Sequence, residues 1–164
     1  MRILVKIFLG TCNIFLIIFL TGCAQRGYHK TVTSTAVVES LPVFRWPITG
    51  RITAHYGALE DGVSLKGIVL QGEEGQEVLA AEQGQVVYVD DSLRGYGKMV
   101  VLEHGKIFST VYARNSQVMV RAGDSVRKGQ IIAHIGRSGK GSSAQLYFEV
   151  RRNAEPIDPE LVLK

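Results

Sequence analysis

The chain has 164 residues, enough for one domain or for one domain with a tail. Hydrophobic residues make up 46% and charged residues 21%, which excludes a chain that is disordered throughout. The formal net charge of +4 points at first to nucleic acid, but no helix-turn-helix, RNP-type or zinc-finger pattern accompanies it.

Residues 1–22 read as an export signal. Arg2 and Lys6 precede an apolar stretch, Ile7 to Leu20, that Gly10, Thr11 and Asn13 interrupt. At 14 residues it is short of the roughly 20 that a spanning helix needs. Leu20-Thr21-Gly22-Cys23 follows and resembles a bacterial lipobox. That resemblance implies a lipidated Cys23 as the first residue of the mature chain. Ala24, where an Asp would retain the protein at the inner membrane, resembles the default for outer-membrane sorting in Gram-negative bacteria. Loss of the signal takes Arg2 and Lys6 with it and leaves 17 basic against 15 acidic side chains, a weak basis for phosphate binding. Cys12 goes too, so no thiol remains for a disulfide or a metal. Residues 23–41 are rich in Ser, Thr and charge without a sustained period and read as a tether. Such a flexible segment spans roughly 20 to 25 Å.

From Pro42 to Lys164 the pattern is short β segments broken by Gly. Ile48–Ala54 opens it, followed by Gln76–Ala81, Gln85–Val89, Lys98–Glu103 and Ile107–Ala113, the last two flanking His104-Gly105 as a hairpin. Gln117–Arg121, Gln130–Ile135 and Gln145–Arg151 complete the set. No stretch carries a 3.6-residue period with caps. Short strands at roughly ten-residue intervals predict an all-β antiparallel sandwich or barrel over residues 42–164. Along Gln145–Arg151 the period of two places Leu146, Phe148 and Val150 on the core face and Gln145, Tyr147, Glu149 and Arg151 on the other.

Several motifs in register then resemble the LytM, or lysostaphin-type, peptidoglycan metallopeptidases. Trp46-Pro47-Ile48-Thr49-Gly50 with His55-Tyr56-Gly57 looks like their opening. Gly75 to Ala81 with Gly84-Gln85-Val86-Val87, then Gly95-Tyr96-Gly97, Val101 to Gly105 and Thr110 to Ala113 continue in order. Val126 to Gln130, Ile135 to Gly139, Leu146 to Glu149 and Pro156 to Pro159 close the series. The resemblance implies the LytM duplicated hybrid fold with an open groove. The family's zinc site uses a His and an Asp as H-x-x-x-D plus the last His of an H-x-H. The register puts these ligands at Leu65, Val69 and Tyr147, and two further catalytic His at Arg114 and Gln145. Leu and Val cannot ligate zinc, and a lone Tyr is not a site. None of His29, His55, His104 and His134 forms an H-x-H or H-x-x-x-H pair. The expectation is therefore no metal, no cofactor and no catalysis.

A lipid-anchored, zinc-less LytM domain resembles the amidase activators of the NlpD and EnvC type. That resemblance implies an outer-membrane lipoprotein that binds a periplasmic zinc-dependent N-acetylmuramoyl-L-alanine amidase and relieves its autoinhibition, promoting septal peptidoglycan splitting. It carries the binding groove to Lys66, Val69, Tyr147 and Arg151, with Gln145, Arg114 and Leu65 beside them. Val69 is expected to face the cleft and not the core. NlpD-type activators carry a LysM module before this domain and EnvC-type a coiled coil, and neither pattern occurs in these residues. The competing expectation is a peptidoglycan-binding module in which Tyr56, Tyr96 and Tyr147 stack on sugars or stem peptides. A lipoyl-type carrier on Lys98 conflicts with export, since cofactor ligases act in the cytosol.

Overall fold

The lipobox Cys23, the signal and the tether lie outside the residues that the computed structural model describes, which are 42–90, 96–137 and 143–164. The described residues belong to one compact unit, Glu39–Lys164. Twelve strands run through them in chain order: β1 (Arg51–Ala54), β2 (Leu59–Glu60), β3 (Val63–Ser64), β4 (Ile68–Gln71), β5 (Glu77–Leu79), β6 (Gly84–Asp90), β7 (Lys98–His104), β8 (Phe108–Val118), β9 (Ser125–Val126), β10 (Ile131–Ile135), β11 (Gln145–Arg152) and β12 (Glu155–Ile157). A short 3₁₀ turn, Pro159–Leu161, follows, with the Asp158 side chain accepting from the Glu160 N–H.

Ten of these strands form one sheet, in the order β1-β4-β11-β8-β7-β6-β9, with β10 bridging β5 and β8 and β12 hanging from β11. Every paired strand is antiparallel, as the sequence predicts. β8 is the spine, because its eleven residues are long enough to serve several partners. Residues 108–113 pair β11 on one side while β7 lies on the other, and Asn115, Gln117 and Val118 pair β10. The sequence reading breaks this strand in two between Ala113 and Gln117; the chain instead runs on through Arg114, which takes a left-handed φ of +69° and lets β8 change partners without ending.

Alternation along β11 sends Leu146, Phe148 and Val150 into the main core, where they meet Ile68 and Leu70 of β4, Leu102 of β7 and Tyr112 of β8. The opposite face of the same strands is also covered. Val69, Met99, Val111, Ala113 and Tyr147 form a second, smaller apolar cluster there. The two ends of the domain meet at Phe44: its N–H donates to the Val162 carbonyl and its carbonyl accepts from the Lys164 N–H. β2 and β3 pair only with each other among the described residues, across a turn in which Asp61 and Gly62 have φ of +50° and +79°. Asp-Gly suits the mirror-image hairpin turn, which needs positive φ at both central residues.

Candidate functional site

The second cluster is the floor of a cleft. β4, β11 and β8 set Val69, Tyr147 and Ala113 side by side in one cross-strand row. Tyr147 lies over this row and is itself only 4% exposed. The Tyr96 ring meets it edge-on at 5.6 Å. Above it, the Arg114 guanidinium carbon sits 5.6 Å from the Tyr147 ring centre, a cation–π contact. The Arg114 backbone is pinned on both sides: its N–H donates to the Tyr96 carbonyl at 2.7 Å and its carbonyl accepts from the Gly136 N–H at 2.9 Å. The side chain then donates from Nη1 to Gln145 Oε1 at 3.3 Å and from Nη2 to Glu60 Oε2 on the β2–β3 hairpin. Leu65, Lys66, Tyr96, Arg114, Tyr147 and the hairpin residues Glu60, Val63 and Ser64 enclose a cavity of about 360 Å³.

Beside the floor, along the same face of β11, lies a charged staple. Glu149 is a fully buried carboxylate. The Tyr147 hydroxyl donates to its Oε1 at 2.7 Å, and Arg151 donates to its Oε2 from Nε at 2.7 Å and Nη2 at 2.6 Å. Burial, then the hydrogen bond to and charge of Glu149, push the Tyr147 hydroxyl far above its ordinary range, so it remains a neutral donor. Gly67 permits the tight approach of the β4 entry to β11: a Cβ there would lie 2.1 Å from the Phe148 carbonyl oxygen and 2.9 Å from Glu149 Cγ.

Of the residues the sequence singles out, Leu65, Lys66, Arg114 and Tyr147 come together around one cavity, and Gln145 borders it by holding Arg114. Val69 needs correction. It is 2% exposed, packed in the small cluster with Met99, Val111, Ala113 and Tyr147, so it is core under the cleft rather than cleft surface. Arg151 is on the same face of β11 but does not line the cavity; it serves Glu149. Tyr56 also departs from the three-tyrosine platform: its hydroxyl donates to the Pro156 carbonyl, away from the cavity, while Tyr147 is too covered to stack on a ligand. Glu60 and Val63 escape sequence reasoning, although Asp61-Gly62 is a hairpin signal that brings them to the rim.

The residues at the three ligand positions do not fit a zinc ion. Leu65 and Val69 offer no donor, and the Tyr147 hydroxyl is committed to Glu149. The nearby carboxylates are taken by Arg114 and Arg151. Among the described residues no three of His, Cys, Asp or Glu gather as a metal site. His55 pairs with Glu160, and His104 and His134 belong to β7 and β10, away from the cavity lining.

Residues 64–159 match peptidase family M23. The murein hydrolase activator NlpD of Salmonella dublin is 36% identical over 131 residues, covering 80% of this chain and 34% of that protein. The murein hydrolase activator EnvC of Escherichia coli is 40% identical over 116 residues, covering 70% of this chain and 27% of its own. The chain thus spans about a third of the length of such curated relatives. Among solved structures, the catalytic domain of the antimicrobial peptidase lysostaphin from Staphylococcus simulans superposes with a TM-score of 0.62 at 26% identity, covering 68% of this chain and 90% of that domain. The antiparallel fold, the in-register motifs and the extent of these matches agree, and the chain belongs to peptidase family M23.

Proposed function

We propose that this chain is a catalytically inactive member of the family that binds a periplasmic N-acetylmuramoyl-L-alanine amidase through the Leu65–Tyr147 cleft and activates it. One observation carries the reading. The three positions that would hold zinc are fused into an apolar floor stapled by Tyr147, Glu149 and Arg151, while the cavity above that floor persists at about 360 Å³. A cleft without ligands for the catalytic ion retains value as a recognition surface. The names of the relatives NlpD and EnvC, both murein hydrolase activators, support the same role. Lys66 and Arg114 form its charged rim, and Leu65 and Tyr96 its apolar wall.

In this reading Cys23 carries the acyl anchor, residues 23–41 are the tether, and the protein faces the periplasm from the outer membrane. The lipoprotein NlpD/LppB homolog of Pseudomonas aeruginosa, 40% identical over 114 residues, supports an anchored form. Cys23→Ala is expected to abolish processing and membrane fractionation, and normal fractionation of that variant would overturn the anchor.

The test is dye release from labelled peptidoglycan by the full chain, carrying Cys23→Ser to keep it soluble, mixed with each periplasmic amidase of the host. Release is expected only when chain and one amidase are both present. Release by the chain alone, or stimulation of no amidase, overturns the reading.

A further inference from the structure

The β2–β3 hairpin is a loosely held arm. Its strands are two residues each and pair only with one another among the described residues. A lone two-stranded ribbon is marginally stable in water. Leu59 and Val63 are 76% and 69% exposed, so apolar packing does little to hold it down. At its base, Gly57 N–H donates to Leu65 C=O and Leu65 N–H to Ala58 C=O. Toward its tip, the tie to the body of the domain among the described residues is the ion pair between Glu60 and Arg114.

The two partners of that pair are unlike. Arg114 is built in. Its side chain is 10% exposed, its backbone is held in the left-handed region, and Gln145 and the Tyr147 ring fix its guanidinium. A non-glycine residue held there stores strain, which the surrounding structure maintains for the sake of side-chain placement. Glu60 rides on the arm and is 43% exposed. Among the described residues it is also the one acidic residue in the cavity lining, set against Lys66 and Arg114. Withdrawal of the arm leaves, among the described residues, a wall with two cations and no carboxylate.

We propose that Arg114 is a carboxylate seat, filled by Glu60 in the free chain and taken by an acidic side chain of the amidase partner when the hairpin swings away. The inference rests on the activator reading and adds to it the charge of the partner segment and an internal competitor. Because one guanidinium–carboxylate pair is exchanged for another, wild-type affinity depends little on salt. A chain without Glu60 gains a pair on binding, so its affinity is both higher and salt-sensitive.

The experiment compares wild type, Glu60→Gln, Arg114→Gln and the double variant, in full chains carrying Cys23→Ser. Two quantities are read: hydrogen exchange at the Gly57 and Leu65 amides without partner, and affinity for the activated amidase at 50 and 300 mM salt. Glu60→Gln is expected to speed exchange and to tighten low-salt binding about five- to tenfold, with the gain lost at high salt. Arg114→Gln is expected to weaken binding, and the double variant to show no gain from Glu60→Gln. Unchanged exchange in Glu60→Gln overturns the latch. Faster exchange with equal or weaker binding overturns the displacement, since the hairpin then contributes to docking. If no form binds any amidase, the activator reading falls and the displacement with it, while exchange still decides whether the latch exists.

Discussion

Glu149 sits with no solvent exposure between Tyr147 and Arg151, and this changes how substitutions in the cleft must be interpreted. Removing one partner from a buried ion pair leaves an uncompensated charge, at about 3–5 kcal/mol when burial is complete. The Arg151 side chain is 35% exposed, so water reaches the site and the expected loss for Arg151→Ala is smaller, about 2 kcal/mol. Thermal unfolding checks this, and Glu149→Gln in the same chain should recover part of the loss. A full-strength loss of amidase stimulation with unchanged stability would instead make Arg151 a contact residue alone. Val69 poses the same problem more sharply. Val69→Glu puts a carboxylate into the small cluster beneath Tyr147, where nothing compensates it, and is expected to destabilise as severely as Phe148→Ala, about 3–5 kcal/mol. Lys66→Glu, on the exposed rim, is the informative counterpart: it should melt within about 0.5 kcal/mol of wild type while impairing stimulation. The sequence pattern shows that Tyr147 and Val69 share a face but not that the face is covered. A Glu and an Arg two apart on a strand look the same whether they meet water or each other, and no local signal announces that Tyr147 will join a valine from the neighbouring strand in a second apolar cluster.

At the scale of elements, the contact that most constrains the cleft is β4 against β11. Gly67 marks it, since a methyl group there meets the Phe148 carbonyl oxygen at 2.1 Å and β4 cannot retreat without breaking the Phe148–Ile68 register. Gly67→Ala is expected to cost more than 4 kcal/mol or to prevent folding. Gly75→Ala is the control: its φ is +78° but its surroundings are open, so the penalty is conformational, about 1–2 kcal/mol. Equal melting temperatures for the two variants would mean that β4 can shift freely. The alternation that builds β11 is legible in the sequence, because a run of that length displays its period. β2 and β3 are too short to display one, so the hairpin carrying Glu60 is marked in the sequence by its Asp61-Gly62 turn alone. The unbroken course of β8 is hidden for another reason. Arginine has no local preference for left-handed backbone, so the sequence around Arg114 reads as an end, whereas hydrogen bonds to Tyr96 and Gly136 carry the strand through it.

For the molecule as a whole, His104 is expected to make stability depend on pH, and it belongs to a hydrogen-bonded chain that runs from β7 to β8. His104 packs edge-on against Phe44 at 5.3 Å, and Phe44 is where the two ends of the domain pair. His104 Nδ1 lies 2.8 Å from the Gln83 carbonyl oxygen, and Nε2 lies 2.8 Å from Thr110 Oγ1. The Thr110 and Tyr112 hydroxyls are 3.0 Å apart, and Tyr112 accepts from the Ala81 N–H. A carbonyl can only accept, so Nδ1 carries the proton toward Gln83, while the Thr110 hydroxyl donates on to Tyr112. Burial holds the imidazole below its usual 6.5, against the opposing pull of the Gln83 hydrogen bond and the Glu82 charge. The facing charges are Glu82 and, bound to it at 2.7 Å, Lys128. With the folded pKa below the unfolded one, the unfolded chain binds more protons in the interval between them, and stability rises with pH there. The contribution is complete above about pH 6.5 and is lost as pH falls from that point through the folded value. Glu82 adds to the decline only below its usual 4.5: burial alone would raise its pKa, but the hydrogen bond and charge of Lys128 hold it lower. Melting temperature is therefore expected to fall as pH drops below 6.5, with His104→Gln flattening that fall. An NMR titration of the His104 ring should show a midpoint below 6.5. A midpoint at or above 6.5, or a His104→Gln variant with the wild-type slope, would place the acid sensitivity elsewhere.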